Sequence, residues 1–110
     1  MKFDRDRQFY RTKIPFGNAA VFRVGASQMP IREISERGIR YDPAPGHAPE
    51  VEEEVIGVVV LESVGGIEVS GRFMRVQENS FVVLLDPPGI PHEMIIALQQ
   101  FLMRSSPKRT

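Results

Sequence analysis

The sequence predicts an all-β domain with one helix: a small six-stranded antiparallel β-barrel followed by a C-terminal α-helix. Six short runs are rich in β-branched or aromatic residues and are bounded by Gly, Pro, Asn or Ser, which is typical of strands joined by turns. One segment near the C-terminus instead has apolar residues at helical spacing. The length of 110 residues allows one hydrophobic core and hardly two. Closing the sheet into a barrel removes the unpaired strand edges that would otherwise favour aggregation.

The strands are predicted from runs in which β-forming residues lie between turn residues. A turn is expected over residues 25–30, Gly65 and Gly66 predict a hairpin turn, and residues 78–80 predict a second one. The connection 42–54 contains three prolines and four glutamates, which predicts a mobile loop over one end of the barrel. The six predicted strands are 19–24, 31–34, 39–41, 55–61, 67–76 and 81–85.

The helix is predicted over residues 91–104. Pro91 suits the first turn, Glu93 is favourable near the positive end of the helix dipole, and Arg104 suits the other end. The apolar residues of this segment share one face, so the helix should cover the barrel or contact a partner, and covering the barrel is favoured. That face comprises Met94, Ala97, Leu98, Phe101 and Leu102.

Two arginines four residues apart, Arg7 and Arg11, form a candidate anion clamp near the N-terminus. A guanidinium offers five donors in a flat fork that matches phosphate oxygens or the O6 and N7 edge of guanine, and it also stacks on a purine face. One arginine can therefore hold the base while the other pairs with phosphate. Taken alone, a basic stretch interleaved with acids, as here, is usually a solvated arm.

A second candidate segment runs from Glu33 to Gly38. Glu33 and Ser35 alternate along a predicted strand end, so both side chains should leave the same face, where a carboxylate accepts and a hydroxyl donates or accepts. Gly38 suits a turn with positive φ or a place where a ligand approaches the backbone closely, and it can also be a plain turn residue. Such a Ser and Gly pattern alone is an ordinary turn.

Together the two segments resemble the PilZ domain family. Residues 7–11 look like the family's RxxxR motif, and residues 33–38 look like its (D/N)xSxxG motif. The 22 positions from Arg11 to Glu33 leave room for one strand and a turn, and the later hairpin and helix extend the resemblance over most of the chain. The chain departs from the pattern at Glu33, where the family usually has Asp or Asn.

The resemblance implies a receptor for the bacterial second messenger cyclic di-GMP, with an effect on motility or biofilm formation. It implies ligand contacts from both motifs, with Arg5 as an extra phosphate partner and Arg75 as a stacking candidate; the motif contacts are Arg7, Arg11, Glu33, Ser35 and Gly38. It also implies a flexible arm over residues 1–12 that becomes ordered on the ligand and presents an altered surface to an unidentified effector protein. The barrel with its helix would span residues 13–104, before a disordered tail over residues 105–110.

Two alternatives to the receptor remain open. The longer Glu33 side chain can pair with Arg7 or Arg11, so a ligand would have to compete for those cations. A degenerate PilZ-like adaptor, acting through protein contacts in pilus assembly or motility without binding nucleotide, is therefore the second hypothesis. An RNA-binding barrel is the third, but seven Phe, two Tyr and no Trp give little sign of the required aromatic face.

Composition argues against several other classes of protein. The net charge is zero, which argues against a partner that is a nucleic acid polymer, although residues 1–41 carry a net charge of +5 and residues 42–110 one of −5. With no cysteine there is neither a disulfide nor a thiolate nucleophile, and no pairing of nucleophile with base suggests an enzyme. His47 and its neighbouring glutamates lack fixed geometry, so no metal or cofactor is expected. We expect a cytoplasmic protein without membrane insertion, either a monomer or a weak dimer.

Overall fold

Antiparallel pairing closes the sheet into a barrel. The computed structural model describes residues 11–15 and 17–104, which form seven strands and one helix. The strand order is β1-β3-β2-β5-β6-β7-β4, and β3 also pairs with β4, so β2 to β7 form a closed six-stranded barrel with β1 as an extra strand beside β3. The predicted fold class is thereby confirmed. The elements are β1 (Thr12–Lys13), β2 (Ala20–Val24), β3 (Ser27–Ser35), β4 (Gly38–Tyr41), β5 (Glu54–Leu61), β6 (Gly65–Gln77), β7 (Ser80–Leu85) and α1 (His92–Arg104).

One hydrophobic core fills the barrel and extends under the helix. Phe22 and Tyr41 are fully buried and meet edge to face, with ring centroids 5.0 Å apart. Ile95, Leu98 and Leu102 of α1 belong to the same buried cluster as the strand residues. The helix therefore covers the barrel, as predicted, although its buried face includes Ile95 and leaves Met94 only partly buried.

Two predicted turns are wrong in position. The β2–β3 hairpin turns through Gly25 and Ala26 alone, because Gly25 adopts a φ of 58°, and residues 27–30 already belong to β3. Pro30 is tolerated in that strand and accepts a hydrogen bond from the Asp42 amide at 2.9 Å. The β5–β6 turn lies at residues 62–64, so Gly65 and Gly66 are strand residues.

The predicted turn near residue 79 is present as a two-residue hairpin. Glu78 and Asn79 have φ values of 54° and 69°, and Gln77 pairs with Ser80 across them. Positive φ at both central residues gives the turn a twist that matches the strands on either side. The helix likewise begins where expected, because Pro91 directly precedes α1 and its carbonyl accepts the bond from the Met94 amide at 3.0 Å.

The connection from β4 to β5, expected to be mobile, is tied to the barrel at both ends. The Glu52 amide donates to the Phe73 carbonyl at 2.7 Å, and the Phe73 amide donates to the Glu53 carbonyl at 3.0 Å. At the other end, His47 Nε2 lies 2.6 Å from the Tyr41 hydroxyl. Burial raises the pKa of the Tyr41 hydroxyl, which keeps it protonated and able to donate to a neutral imidazole.

The contact between His47 and the Tyr41 hydroxyl predicts that the free energy of unfolding falls in acid. Burial lowers the pKa of His47 below its ordinary value of 6.5, against a smaller opposing effect of Glu53. The folded state therefore favours the neutral ring, so this stabilisation is complete above pH 6.5 and is lost as the pH falls through the lowered pKa. Urea unfolding across this range should show a steeper loss of stability in the native protein than in His47→Gln. Equal slopes would contradict the assignment.

The described residues contain neither a membrane-spanning helix nor a cluster of metal-binding side chains. Within them, no helix has the length and apolar character needed to cross a membrane. Over residues 11–15 and 17–104 no group of three or more acidic or histidine side chains is placed to hold a metal ion.

The predicted arm lies outside the described residues except for its last two, Arg11 and Thr12, and Thr12 pairs with Ile34 of β3. The predicted tail, residues 105–110, lies outside them entirely.

Candidate functional site

A groove of about 700 Å³ crosses the outer surface of β3, β4, β6 and β7, and we call it the outer groove. Its volume is typical of a site for a small ligand. Four arginines and one glutamate line the groove, so the net charge of its side chains is +3. Apolar residues also line it, among them Met74, Val82 and Leu84. The charged and polar lining side chains are Arg11, Glu33, Ser35, Arg37, Arg40, Arg75 and Gln77.

The outer groove brings together the predicted site residues that the structure describes. Arg11, which directly precedes β1, lies at one side, and Arg75 of β6 lies at the other. The segment from Glu33 to Gly38 lies between them. Arg5 and Arg7, the other two predicted contacts, lie outside the described residues.

Two irregularities in the strand pairing aim residues into this groove. Ile31 pairs with Tyr41, but Glu33 pairs with Arg40, which leaves Arg32 as an extra residue. Strand alternation without that bulge would point Glu33 into the core like Ile31, since the two are separated by two positions. The bulge moves Glu33 to the outer face.

The second irregularity, in the pairing of β6 with β7, turns Arg75 to the outer face. Phe73 pairs with buried Val83, whereas Arg75 pairs with groove-lining Val82, and Met74 is the extra residue. A regular strand would direct Arg75 to the face of Phe73, inside the barrel. Both walls of the outer groove therefore depend on a bulge, a feature that is over-represented beside functional sites.

Glu33 is engaged by arginines of the site. Its Oε1 lies 3.3 Å from Arg40 Nε and 3.9 Å from the guanidinium of Arg11. The Glu33 side chain is 12% exposed, so its charge is poorly solvated and needs these cations. Of the two partners expected for Glu33, Arg11 is present at 3.9 Å and Arg7 lies outside the described residues, while the nearest cation is Arg40, which the sequence did not single out.

Ser35 and Gly38 close the turn between β3 and β4. The two residues pair across it, and the Ser35 hydroxyl donates a long hydrogen bond of 3.4 Å to the Gly38 carbonyl. Of the roles open for Gly38, a turn with positive φ does not apply, because Gly38 begins β4 with negative φ. A Cβ there would meet only Ser35 Oγ at 3.6 Å and the Val83 carbonyl at 3.7 Å, which are ordinary contacts.

Sequence reasoning missed two arginines of the groove, Arg37 and Arg40. Arg37 is held rigidly, since its Nε donates to the Leu85 carbonyl at 2.8 Å and its own carbonyl accepts from the Leu85 amide at 2.9 Å. Arg40 lies on the outer face of β4, opposite Glu33 and Val82. The available signal was alternation, because Arg40 lies between the apolar residues Ile39 and Tyr41, as an outward-facing strand residue should.

A chain of polar contacts connects Arg40 of β4 to Arg32 of β3 through Ser80 and Asp42. Arg40 Nη1 lies 3.4 Å from Ser80 Oγ, which donates to Asp42 Oδ1 at 2.8 Å. The other Asp42 oxygen binds Arg32 through Nη2 at 2.6 Å and Nε at 2.8 Å. The Arg32 hydrogen bonds hold the pKa of Asp42 below its ordinary value of 3.8, so Asp42 is ionised at neutral pH.

Two parts of the site contact the helix region: strand β1, and the turn between β3 and β4 at residues 35–38, which we call the motif turn. The Glu36 carbonyl accepts from the Ile90 amide at 2.8 Å, and Glu36 Oε2 lies 2.7 Å from His92 Nδ1 at the start of α1. From the middle of α1, Gln99 Nε2 donates to Thr12 Oγ1 at 2.8 Å. Residues next to Arg37 and next to Arg11 thus contact one helical segment.

Comparison with known proteins adds a likeness of fold. No family model matches the sequence, and neither does any curated protein. A crystal structure of the Legionella uncharacterized protein Lpg0364 aligns over 86% of this chain and 91% of that chain, with a TM-score of 0.57 and 17% sequence identity. At that identity the match supports a shared barrel fold and carries no function.

Proposed function

We propose that this protein is a PilZ-like receptor for cyclic di-GMP that acts in bacterial signalling, with motility or biofilm formation as the controlled behaviour. The observation that carries the proposal is that the predicted contacts within the described residues line one groove, although up to 64 positions separate them in sequence; they are Arg11, Glu33, Ser35, Gly38 and Arg75. The ligand is an anion with two flat purine bases. Such a ligand requires several cations and flat surfaces within a single site.

The lining of the outer groove suits both parts of that ligand. Its charge of +3 favours phosphate, and an arginine fork can hold two phosphate oxygens or a guanine edge at once. Met74, Val82 and Leu84 offer apolar surface against which a base can lie. Arg75 is exposed on the side formed by β6, where its planar group can stack on a purine.

The proposed signal has two steps. The N-terminal arm closes over the bound ligand and adds Arg7 and Arg5 to the phosphates. The change then reaches α1, because Gln99 contacts Thr12 beside Arg11 and His92 contacts Glu36 beside Arg37. An effector protein that reads the exposed side of α1 or the closed arm would respond to the ligand.

Calorimetric titration of the full chain tests the receptor proposal. We expect saturable binding of cyclic di-GMP, with GTP at least tenfold weaker and single-stranded RNA showing no binding. GTP carries one guanine, and its phosphates do not close a ring, so it cannot engage both sides of the outer groove. Absence of cyclic di-GMP binding at millimolar ligand concentration would refute the receptor function. Equal affinity for RNA would favour the RNA-binding barrel.

The Glu33–Arg40 contact favours a second candidate, the PilZ-like adaptor without a nucleotide. An ion pair inside the outer groove already supplies Arg40 with an anion, so the fold is complete without a ligand. In that case the groove surface would contact a protein, in pilus assembly or motility. The titration distinguishes the two candidates, because an adaptor of this kind shows no heat of binding with cyclic di-GMP.

A further inference from the structure

We infer that Arg40, which belongs to neither sequence motif, is a ligand-binding residue of the outer groove, and that it exchanges its contact with Glu33 for a phosphate oxygen of the ligand. The inference rests on the proposed nucleotide function and names a phosphate contact which that proposal does not include. It makes Glu33 a competitor of the ligand. The chemical group recognised is a phosphodiester oxygen.

The position of Arg40 places its charge on the floor of the groove. Arg40 pairs with Glu33 of β3 on one side and with Val82 of β7 on the other, and all three residues line the groove. Its side chain is 17% exposed, against 62% for Arg11. A less solvated cation is screened less by water and salt, so Arg40 attracts a bound phosphate more strongly than an exposed arginine does.

The present contacts of Arg40 are loose. Its bonds to Glu33 and Ser80 measure 3.3 Å and 3.4 Å, whereas a charge-assisted bond is typically about 2.7 to 2.9 Å. Arg32 and Arg37, by comparison, hold their partners at 2.8 Å or less. Within the described residues Arg40 Nη2 has no hydrogen-bond partner, so it can donate to a ligand before any bond is broken.

The partners of Arg40 can release it at low cost. Ser80 keeps its 2.8 Å bond to Asp42, and Asp42 keeps Arg32, so neither is left without a partner when Arg40 moves. Glu33 has Arg11 at 3.9 Å as a second cation, and that exposed guanidinium has five donors, so it can move closer to the carboxylate and still offer two N–H groups to the ligand. The carboxylate therefore stays partnered when a phosphate takes its place on Arg40, and no buried charge is left alone.

The test measures cyclic di-GMP affinity in Arg40→Gln, Glu33→Gln and the double variant, with Arg23→Gln as the control. We expect Arg40→Gln to bind about tenfold more weakly and Glu33→Gln severalfold more tightly than the native chain. Arg23 is an exposed residue of β2 that does not line the groove, so its variant removes the same charge and should bind as the native chain does. Urea unfolding of each variant checks that the fold is retained.

The double variant separates a ligand contact from simple neutralisation of Glu33. It leaves no unpaired charge, so it should fold, and we expect it to bind about tenfold more weakly than Glu33→Gln. Equal affinity of these two variants would overturn the inference, because Arg40 would then act only by cancelling the carboxylate. Loss of binding in Glu33→Gln would also overturn it. If the native chain does not bind cyclic di-GMP, both the receptor function and this inference are refuted. If the native chain binds it, the receptor function is supported whatever the Arg40 variants show.

Discussion

Replacement of Gly89 by alanine should destabilise the protein on the order of 3 kcal/mol, as strain and overlap add. Gly89 has a φ of +74°, which disfavours any side chain, and an added Cβ would overlap the Glu36 carbonyl oxygen and lie 3.0 Å from Arg37 Cδ. The same carbonyl accepts the bond from the Ile90 amide. The substitution therefore separates the motif turn from the segment that leads into α1. Urea unfolding should show a midpoint lowered by about 2 M.

Gly25→Ala is the matched control for that variant. Gly25 has a φ of +58°, but an added Cβ there meets nothing within 4 Å. Alanine at this position should therefore lower the free energy of unfolding only by the backbone strain, about 1 to 2 kcal/mol. Equal losses for the two variants would show that contact with Glu36 contributes nothing, and the turn would then not be held by residue 89.

Arg11→Ala should weaken cyclic di-GMP binding by about ten- to a hundredfold, or about 1 to 3 kcal/mol, if its guanidinium makes a bidentate contact. The side chain is 62% exposed, and its partner Glu33 retains Arg40, so the fold has little need of it. The loss should consequently appear in affinity, measured by calorimetry, and hardly in the free energy of unfolding. Affinity equal to that of the native chain would refute the contact.

Lys13→Ala provides the comparison for Arg11. Lys13 lies two positions further on in β1 and is also exposed, but it does not line the outer groove. Its removal changes the net charge by the same amount in nearly the same place. A similar loss of affinity in both variants would mean that long-range attraction, and not a direct bond, explains the effect of Arg11.

Local patterns were sufficient to predict the barrel strands. The run at residues 55–61 became β5 and that at residues 81–85 became β7, each extended by one residue, because alternation and flanking turn residues act over a few positions. Turn positions were less accurate. Gly65 and Gly66 predict a turn by their composition, but cross-strand pairing with Leu61 and Val60 extends β6 through both.

Some residues have roles that local pattern cannot show. Gly57 interrupts an apolar run, and only the fold shows why, since a Cβ there would lie 2.8 Å from the ring of Phe22 on the neighbouring strand. The bulge at Arg32 leaves a trace in sequence, because the buried residues Ile31 and Ile34 are three positions apart where a regular strand has two. The bulge at Met74 shows the same spacing of three between Phe73 and Val76, but Val76 is exposed, so only the structure shows that this spacing marks a bulge there.

The amino-acid sequence by itself determined the class of fold, the covering helix and the two segments that resemble PilZ motifs, because each depends on residues close together in the chain. The tertiary structure decided which cations share the outer groove and what Glu33 binds. Arg40 is seven positions from Glu33 and Arg75 is 42, and both come to this surface only through the register of β3, β4, β6 and β7. Register is set by core packing across the whole barrel, so it is not encoded in any single segment.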